Sequence, residues 1–172
     1  MNIKKREGPP RVFLPPGGKV AHCATFAIGG SPQAISGGAL SVRVYYEDTD
    51  AGGVVYYANY LKYLERGRTE FIRALGVEQR ALAEQSGLAF AVRSLSAEYL
   101  KPARLDDELL VTTAVAALGR AQVTFAQAIR RGDETLLTAQ VRVACLDLAR
   151  GKPTAMPPTL YTHLHAQLDT LA

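Results

Sequence analysis

Between residues 88 and 148 the chain keeps a two-residue hydrophobic period, interrupted only by short polar turns. Segments 88–100, 109–117, 122–130 and 135–148 alternate apolar and polar side chains, the pattern of strands with one buried face. The last is the cleanest: Leu137, Ala139, Val141, Val143 and Cys145 fall on one face, Thr138, Gln140 and Arg142 on the other. Turns at 101–107, 118–120 and 131–134 make these four consecutive antiparallel strands. Upstream, from Ala39, Val42, Val44 and Tyr46 alternate with Arg43, Tyr45 and Glu47, a first strand. Residues 47–53 hold two aspartates and two glycines and suit a loop. A helix is expected over 58–75, with Tyr60, Leu64, Gly67, Phe71 and Leu75 on one stripe. Glu65 with Thr69 and Arg66 with Glu70 form its polar face, and Gly76 ends it. A shorter helix over 78–86 stops at Gly87, and Pro153, Pro157 and Pro158 lead into a terminal helix over 159–172. One strand, one long helix and four strands predict an α+β layer with the helix across a single curved sheet. Open strand edges then predict a dimer.

The first 38 residues read differently. They hold Pro9, Pro10, Pro15, Pro16, Pro32 and seven glycines, a composition expected to stay disordered, so the folded domain is set at 39–158. They also hold Lys4, Lys5, Arg6, Arg11 and Lys19 against Glu7 alone, which accounts for the whole net charge of +4. From residue 39 onward the charges balance, so no nucleic-acid partner is expected. No apolar run approaches the roughly 20 residues of a membrane span, and Pro9 and Pro10 stand where a secretory signal would place its apolar core. Two distant cysteines, Cys23 and Cys145, make neither a disulfide framework nor a metal cluster and point to a reducing compartment. Cys145, on an apolar strand face, reads as a small core residue.

All three histidines, His22, His163 and His165, lie outside the predicted core, which removes the usual base of Ser-His and Cys-His catalysis. There is no Gly-x-Ser-x-Gly elbow, phosphate loop or dinucleotide fingerprint. Chemistry therefore rests on carboxylates, tyrosines and backbone dipoles, and these concentrate between Tyr45 and Asn59. There, acidic residues and glycines separate a strand end from a helix start. The unpaired N–H groups of a helix N-terminus can hold a carbonyl oxygen on which charge develops, while a nearby carboxylate attacks or deprotonates water. The same residues could instead simply satisfy loop amides and fill the core.

The run Val44-Tyr45-Tyr46-Glu47-Asp48-Thr49-Asp50-Ala51-Gly52-Gly53-Val54-Val55-Tyr56-Tyr57-Ala58-Asn59-Tyr60-Leu61, with Glu65-Arg66-Gly67-Arg68-Thr69-Glu70, Tyr99-Leu100-Lys101-Pro102-Ala103-Arg104 and Gly119-Arg120, resembles the hotdog-fold acyl-CoA thioesterases. Within them it is similar to the Tol-Pal-associated YbgC and 4-hydroxybenzoyl-CoA branches, as far as Pro158. The resemblance implies a five-stranded antiparallel sheet wrapped around one long helix, and a homodimer or homotetramer with its site at the subunit interface. It implies hydrolysis of an acyl-CoA thioester to a carboxylic acid and coenzyme A without metal or redox cofactor. By the same matching Asp50 is catalytic, Tyr46 lines the site, and the amide at Tyr57 polarises the thioester carbonyl. Gly53, Val54 and Ala58 then meet the substrate, Arg120 meets coenzyme A phosphates, and Asp48 is structural. Tyr57 is a departure: YbgC-like members carry His there and the 4-hydroxybenzoyl-CoA branch Tyr. A phenol, with an ordinary pKa of about 10 against about 6.5 for imidazole, is no base near neutrality. The family setting is cytoplasmic, with attachment at the inner membrane implied by the Tol-Pal link. A non-catalytic module binding acyl-CoA or an acyl carrier protein is the competing expectation.

Overall fold

The computed structural model describes residues 38–168. Residues 1–37 and 169–172, with the expected leader, His22, Cys23 and the end of the last helix, lie outside the described residues. Strand β1, Gly38–Arg43, is shorter than its pattern predicts. Val44 is buried as expected, but Tyr46 leaves the strand for a single 3₁₀ turn, Tyr46–Asp48. The cause is Asp48, whose Oδ2 accepts the Tyr45 amide at 2.9 Å and draws the backbone out of the ladder.

Helix α1, Tyr57–Ala74, buries Tyr60, Leu64, Gly67 and Phe71 along the predicted stripe and adds Tyr63, Ile72, Asn59 and Arg68 beside it. Leu75 falls just past its end. Gly76 takes the left-handed conformation, φ +83°, that closes the helix, and its amide bonds Arg73 O at 2.9 Å. On the outer side Thr69 donates to Glu65 at 2.8 Å, whereas Glu70 pairs with Arg73 rather than Arg66. Helix α2, Gln79–Ser86, ends on left-handed Gly87.

The four remaining long strands are β2, Leu88–Tyr99; β3, Glu108–Gly119; β4, Gln122–Arg131; and β5, Glu134–Asp147. A two-residue β6, Lys152–Pro153, pairs with β5, and α3, Pro158–Leu168, follows. The main sheet runs β1-β3-β4-β5-β2, antiparallel throughout. Helix α1 lies across β1, β3 and β4, with Phe71 edge-on to Phe125 at 5.9 Å. Gly67 permits the close approach: a Cβ there would stand 2.8 Å from Val111 Cγ1. Leu160 and Leu164 of α3 complete the core, and Cys145 is buried in it, with its thiol pKa raised by burial.

The two sheet edges differ. Strand β1 is six residues long, while β2 is a twelve-residue edge leaving Val92, Leu95 and Tyr99 exposed, with a bulge between Val92 and Ser94. No described helix is long and apolar enough to cross a membrane.

Candidate active site

Residues 49–55 form a small closed hairpin. Thr49 bridges Val55, the Asp50 amide donates to Val54 O at 2.9 Å, and the Gly53 amide donates to Asp50 O at 3.0 Å. Gly53 sits at φ +71°, where a side chain would be strained. The Asp50 carboxylate is exposed; its Oδ1 accepts the Gly52 amide at 2.8 Å, and Oδ2 has no partner among the described residues. The stem returns the chain to its start: the Tyr56 amide donates to Asp48 O at 2.8 Å, and buried Asn59 donates its Nδ2 to the same oxygen at 2.9 Å. The stem of the hairpin is thus bonded at Asp48 to the start of α1, and Asp50 follows two residues further along the loop.

That first turn has no side-chain cap. The Asn59 amide bonds Tyr56 O at 2.8 Å, while those of Tyr57 and Ala58 find no acceptor among the described residues. Two N–H donors at the positive end of an eighteen-residue helix therefore remain free.

A groove of about 290 Å³ opens beside this turn, lined by Val55, Tyr57, Tyr60, Tyr99, Leu100 and Pro102, with Lys101 at its edge. Its walls are cross-braced. Tyr99 donates to Tyr57 O at 3.1 Å and stands edge-on to Tyr60 at 5.7 Å; Tyr60 Oη accepts the Ala103 amide at 2.8 Å. Burial raises the pKa of both Tyr60 and Tyr99, so these phenols stay protonated at neutral pH. Lys101 is engaged by Glu134 at 2.5 Å, and Arg131 ties Glu134 to Asp107. Those cations hold the Glu134 carboxyl below its ordinary range. A larger depression, about 540 Å³, lies on the sheet face away from α1, but it is floored by residues such as Thr112, Ala114 and Ala126 and offers only Glu98 as a titratable group.

Behind the loop, Tyr63 is sealed in the core, and its hydroxyl makes no hydrogen bond of normal geometry. Burial first, and the nearby Asp48 carboxylate second, push its pKa well above that of a free phenol.

Of the residues predicted from sequence, Asp50, Gly53 and Val54 lie on this loop and Tyr57 and Ala58 on the helix start, with Tyr57 alone of them lining the groove. Tyr46 lies on the preceding turn, 81% exposed, and lines no described cavity. Arg120 is not brought to the site within one chain: it follows β3, whose opposite end, Glu108, lies beside Arg43. The bracing role of Tyr99 was hidden in a strand pattern, and that of Tyr60 in a helix stripe. No group of three or more His, Cys, Asp or Glu that could hold a metal occurs among the described residues.

The profile of the thioesterase-like superfamily matches residues 44–164. The chain belongs to that superfamily. It is 46% identical over 130 residues to an acyl-CoA thioesterase YbgC of Haemophilus influenzae, covering 76% of this chain and 96% of that one. It is 46% identical over 120 residues to an acyl-CoA thioester hydrolase YbgC of Escherichia coli, covering 69% and 89%. The crystal structure of a probable thioesterase from Bartonella henselae, 39% identical, superposes with a TM-score of 0.65 over 69% of this chain and 98% of that one. The hotdog architecture and the thioester-hydrolase class that the resemblance implied stand, as does the α+β layer read from the hydrophobic periods.

Proposed function

We propose that the chain hydrolyses acyl-CoA thioesters, with Asp50 as the acting carboxylate and no metal in the reaction. The observation that carries this reading is a helix N-terminus with two unbonded amides, tied through Asp48 to a hairpin that presents the exposed carboxylate of Asp50. The thioester carbonyl oxygen is received by the Tyr57 and Ala58 amides, which stabilise the oxyanion as the carbon becomes tetrahedral. Asp50 Oδ2 either attacks that carbon, giving an enzyme anhydride that water then opens, or takes a proton from the attacking water. In both routes the C–S bond breaks, coenzyme A leaves as thiolate and is protonated, and the acyl group departs as a carboxylate. Label from ¹⁸O water found in Asp50 after a single turnover would assign the anhydride route, with water opening the anhydride at the Asp50 carbon, because general-base catalysis places the label in the acyl product alone.

The site is completed by a second copy. Strand β2 runs from Leu88, beside Asp147, to Tyr99, beside Leu137. Two β2 edges paired antiparallel about a two-fold axis bring the Leu88 end of one copy to the Tyr99 end of the other. Arg120 belongs to the Leu88 end, since Ala121 O accepts the Cys145 amide, and Tyr57 belongs to the Tyr99 end. Arg120 of the partner subunit then serves coenzyme A phosphates at this copy's groove. Pantetheine on an acyl carrier protein presents the same thioester, and acyl-carrier substrates belong in the same assay. Recovery of the chain with inner membranes would test its attachment there.

The deciding experiment is thiol release from short, long and aromatic acyl-CoAs by native protein and Asp50→Asn, matched for folding. A fall of about a hundredfold, some 2.7 kcal/mol of transition-state stabilisation, is expected. Undiminished turnover in the variant would overturn the role of Asp50. Binding without turnover in both proteins would favour the non-catalytic module.

A further inference from the structure

Arg68 is an unusual residue to find on the inner face of α1. It is 8% exposed, and among the described residues no carboxylate forms an ion pair with it. Its Nη1 donates to Gln127 Oε1 at 2.9 Å, while Gln127 Nε2 donates to Leu64 O at 2.9 Å and to Thr113 Oγ1 at 2.8 Å. That network fixes the guanidinium but leaves its charge without a counter-ion. A buried cation in that condition is costly, and burial lowers its pKa, opposed by Glu65.

Arg68 lines a cavity of about 100 Å³ between α1 and the sheet. Phe90, Val92, Val123, Phe125 and Val143 make one wall of it apolar, with Ile72 beside them. Glu65, Thr69 and Gln79 also line it, joined in a chain: Gln79 donates to Thr69 at 3.1 Å, and Thr69 to Glu65 at 2.8 Å. Glu65 is exposed, so its carboxylate stays hydrated while the guanidinium does not. The cavity is separate from the groove at Tyr57, since Arg68 lies about 16 Å further along the helix.

We propose that this cavity binds a carboxylate carried on a short apolar chain, the anion paired with Arg68 and the chain lying against Phe90, Val123, Phe125 and Val143. Two sources present that chemistry: a free carboxylic acid, or the far end of a dicarboxylic acyl thioester held in the partner's groove. The second source rests on the thioesterase and dimer readings; the first does not.

The test begins with calorimetric titration of the full chain by butyrate and by butyramide, its uncharged match. Butyrate should bind at least tenfold more tightly, and Arg68→Met should remove the difference. Because that variant also strips Gln127 of a partner, Phe90→Trp, which fills the cavity and leaves Arg68 in place, should independently weaken butyrate. Equal binding of butyrate and butyramide to the native protein, or undiminished butyrate binding in both variants, overturns the proposal. The second arm compares thiol release from glutaryl-CoA and valeryl-CoA, equal in length and different in the distal carboxylate. A glutaryl preference lost in Arg68→Met assigns the site to the substrate's acyl end. Loss of butyrate binding with an unchanged glutaryl-to-valeryl ratio assigns it to the free acid. Absence of thiol release from any thioester would sink the thioesterase reading and leave the butyrate titration to judge the cavity alone.

Discussion

Replacing Tyr57 by phenylalanine removes a hydroxyl; replacing it by proline removes an amide. Position 57 is the first helical residue, where proline is tolerated, and Tyr56 already has the extended conformation, φ −59° and ψ 131°, that proline requires of its predecessor. Tyr57→Phe should therefore keep thiol release within about twofold, whereas Tyr57→Pro should lose about a hundredfold, the usual cost of deleting an oxyanion donor. Circular dichroism should show both helices intact. Tyr63 makes a different prediction. Its folded pKa is raised above the ordinary 10.0, so its contribution to stability is present in full below that value and is lost as pH climbs past it. Absorbance titration should show no Tyr63 phenolate until alkaline unfolding, and Tyr63→Phe should reduce the steepness of that unfolding. The residues of the loop were readable because they lie in one contiguous run. The bonds that brace the groove were not: Tyr99 reaches Tyr57 across 42 positions and Ala103 reaches Tyr60 across 43, separations that local pattern cannot join.

Helix α1 and strands β3, β4 and β5 follow their hydrophobic periods closely, because each buries one face against the others and the pattern records that burial, whereas β2 buries none of its residues within one chain. The deviation at Tyr46 has the opposite origin. Alternation continued through it, but one carboxylate-to-amide bond at Asp48 outweighed the propensity of a two-residue extension. Arg68 escaped the periodicity too, as a charged residue on a buried stripe. Gly67, by contrast, was visible in the stripe, and its contact with Val111 defines a test. Alanine there would gain about 1 kcal/mol of helix propensity but force the helix off β3, an overpacking cost of about 1–3 kcal/mol. Gly67→Ala should lower the urea midpoint, and adding Val111→Ala should give a double variant more stable than the sum of the single changes predicts.

For the whole molecule the decisive element is the β2 edge. A charge at its exposed centre, Leu95→Glu, should shift the chain toward monomer in light scattering and reduce thiol release with it. Complementation tests the shared site more sharply. On the proposed dimer, Asp50→Asn and Arg120→Ala protomers should each be impaired as homodimers, while a mixed dimer would hold one site with both native residues. Activity at low substrate should recover on mixing if Arg120 acts across the interface, and should stay at the average of the two if it acts within its own chain.

The uncapped start of α1 carries a further consequence, of an evolutionary kind. Donors supplied by the main chain persist whatever side chain is attached, provided the residue is not proline. On the proposed reading, position 57 can exchange histidine for tyrosine, or accept other groups, and so reshape the groove without rebuilding the oxyanion site. Acyl preference and chemical competence can then drift independently, so new substrates can be explored from a lineage that never passes through an inactive ancestor.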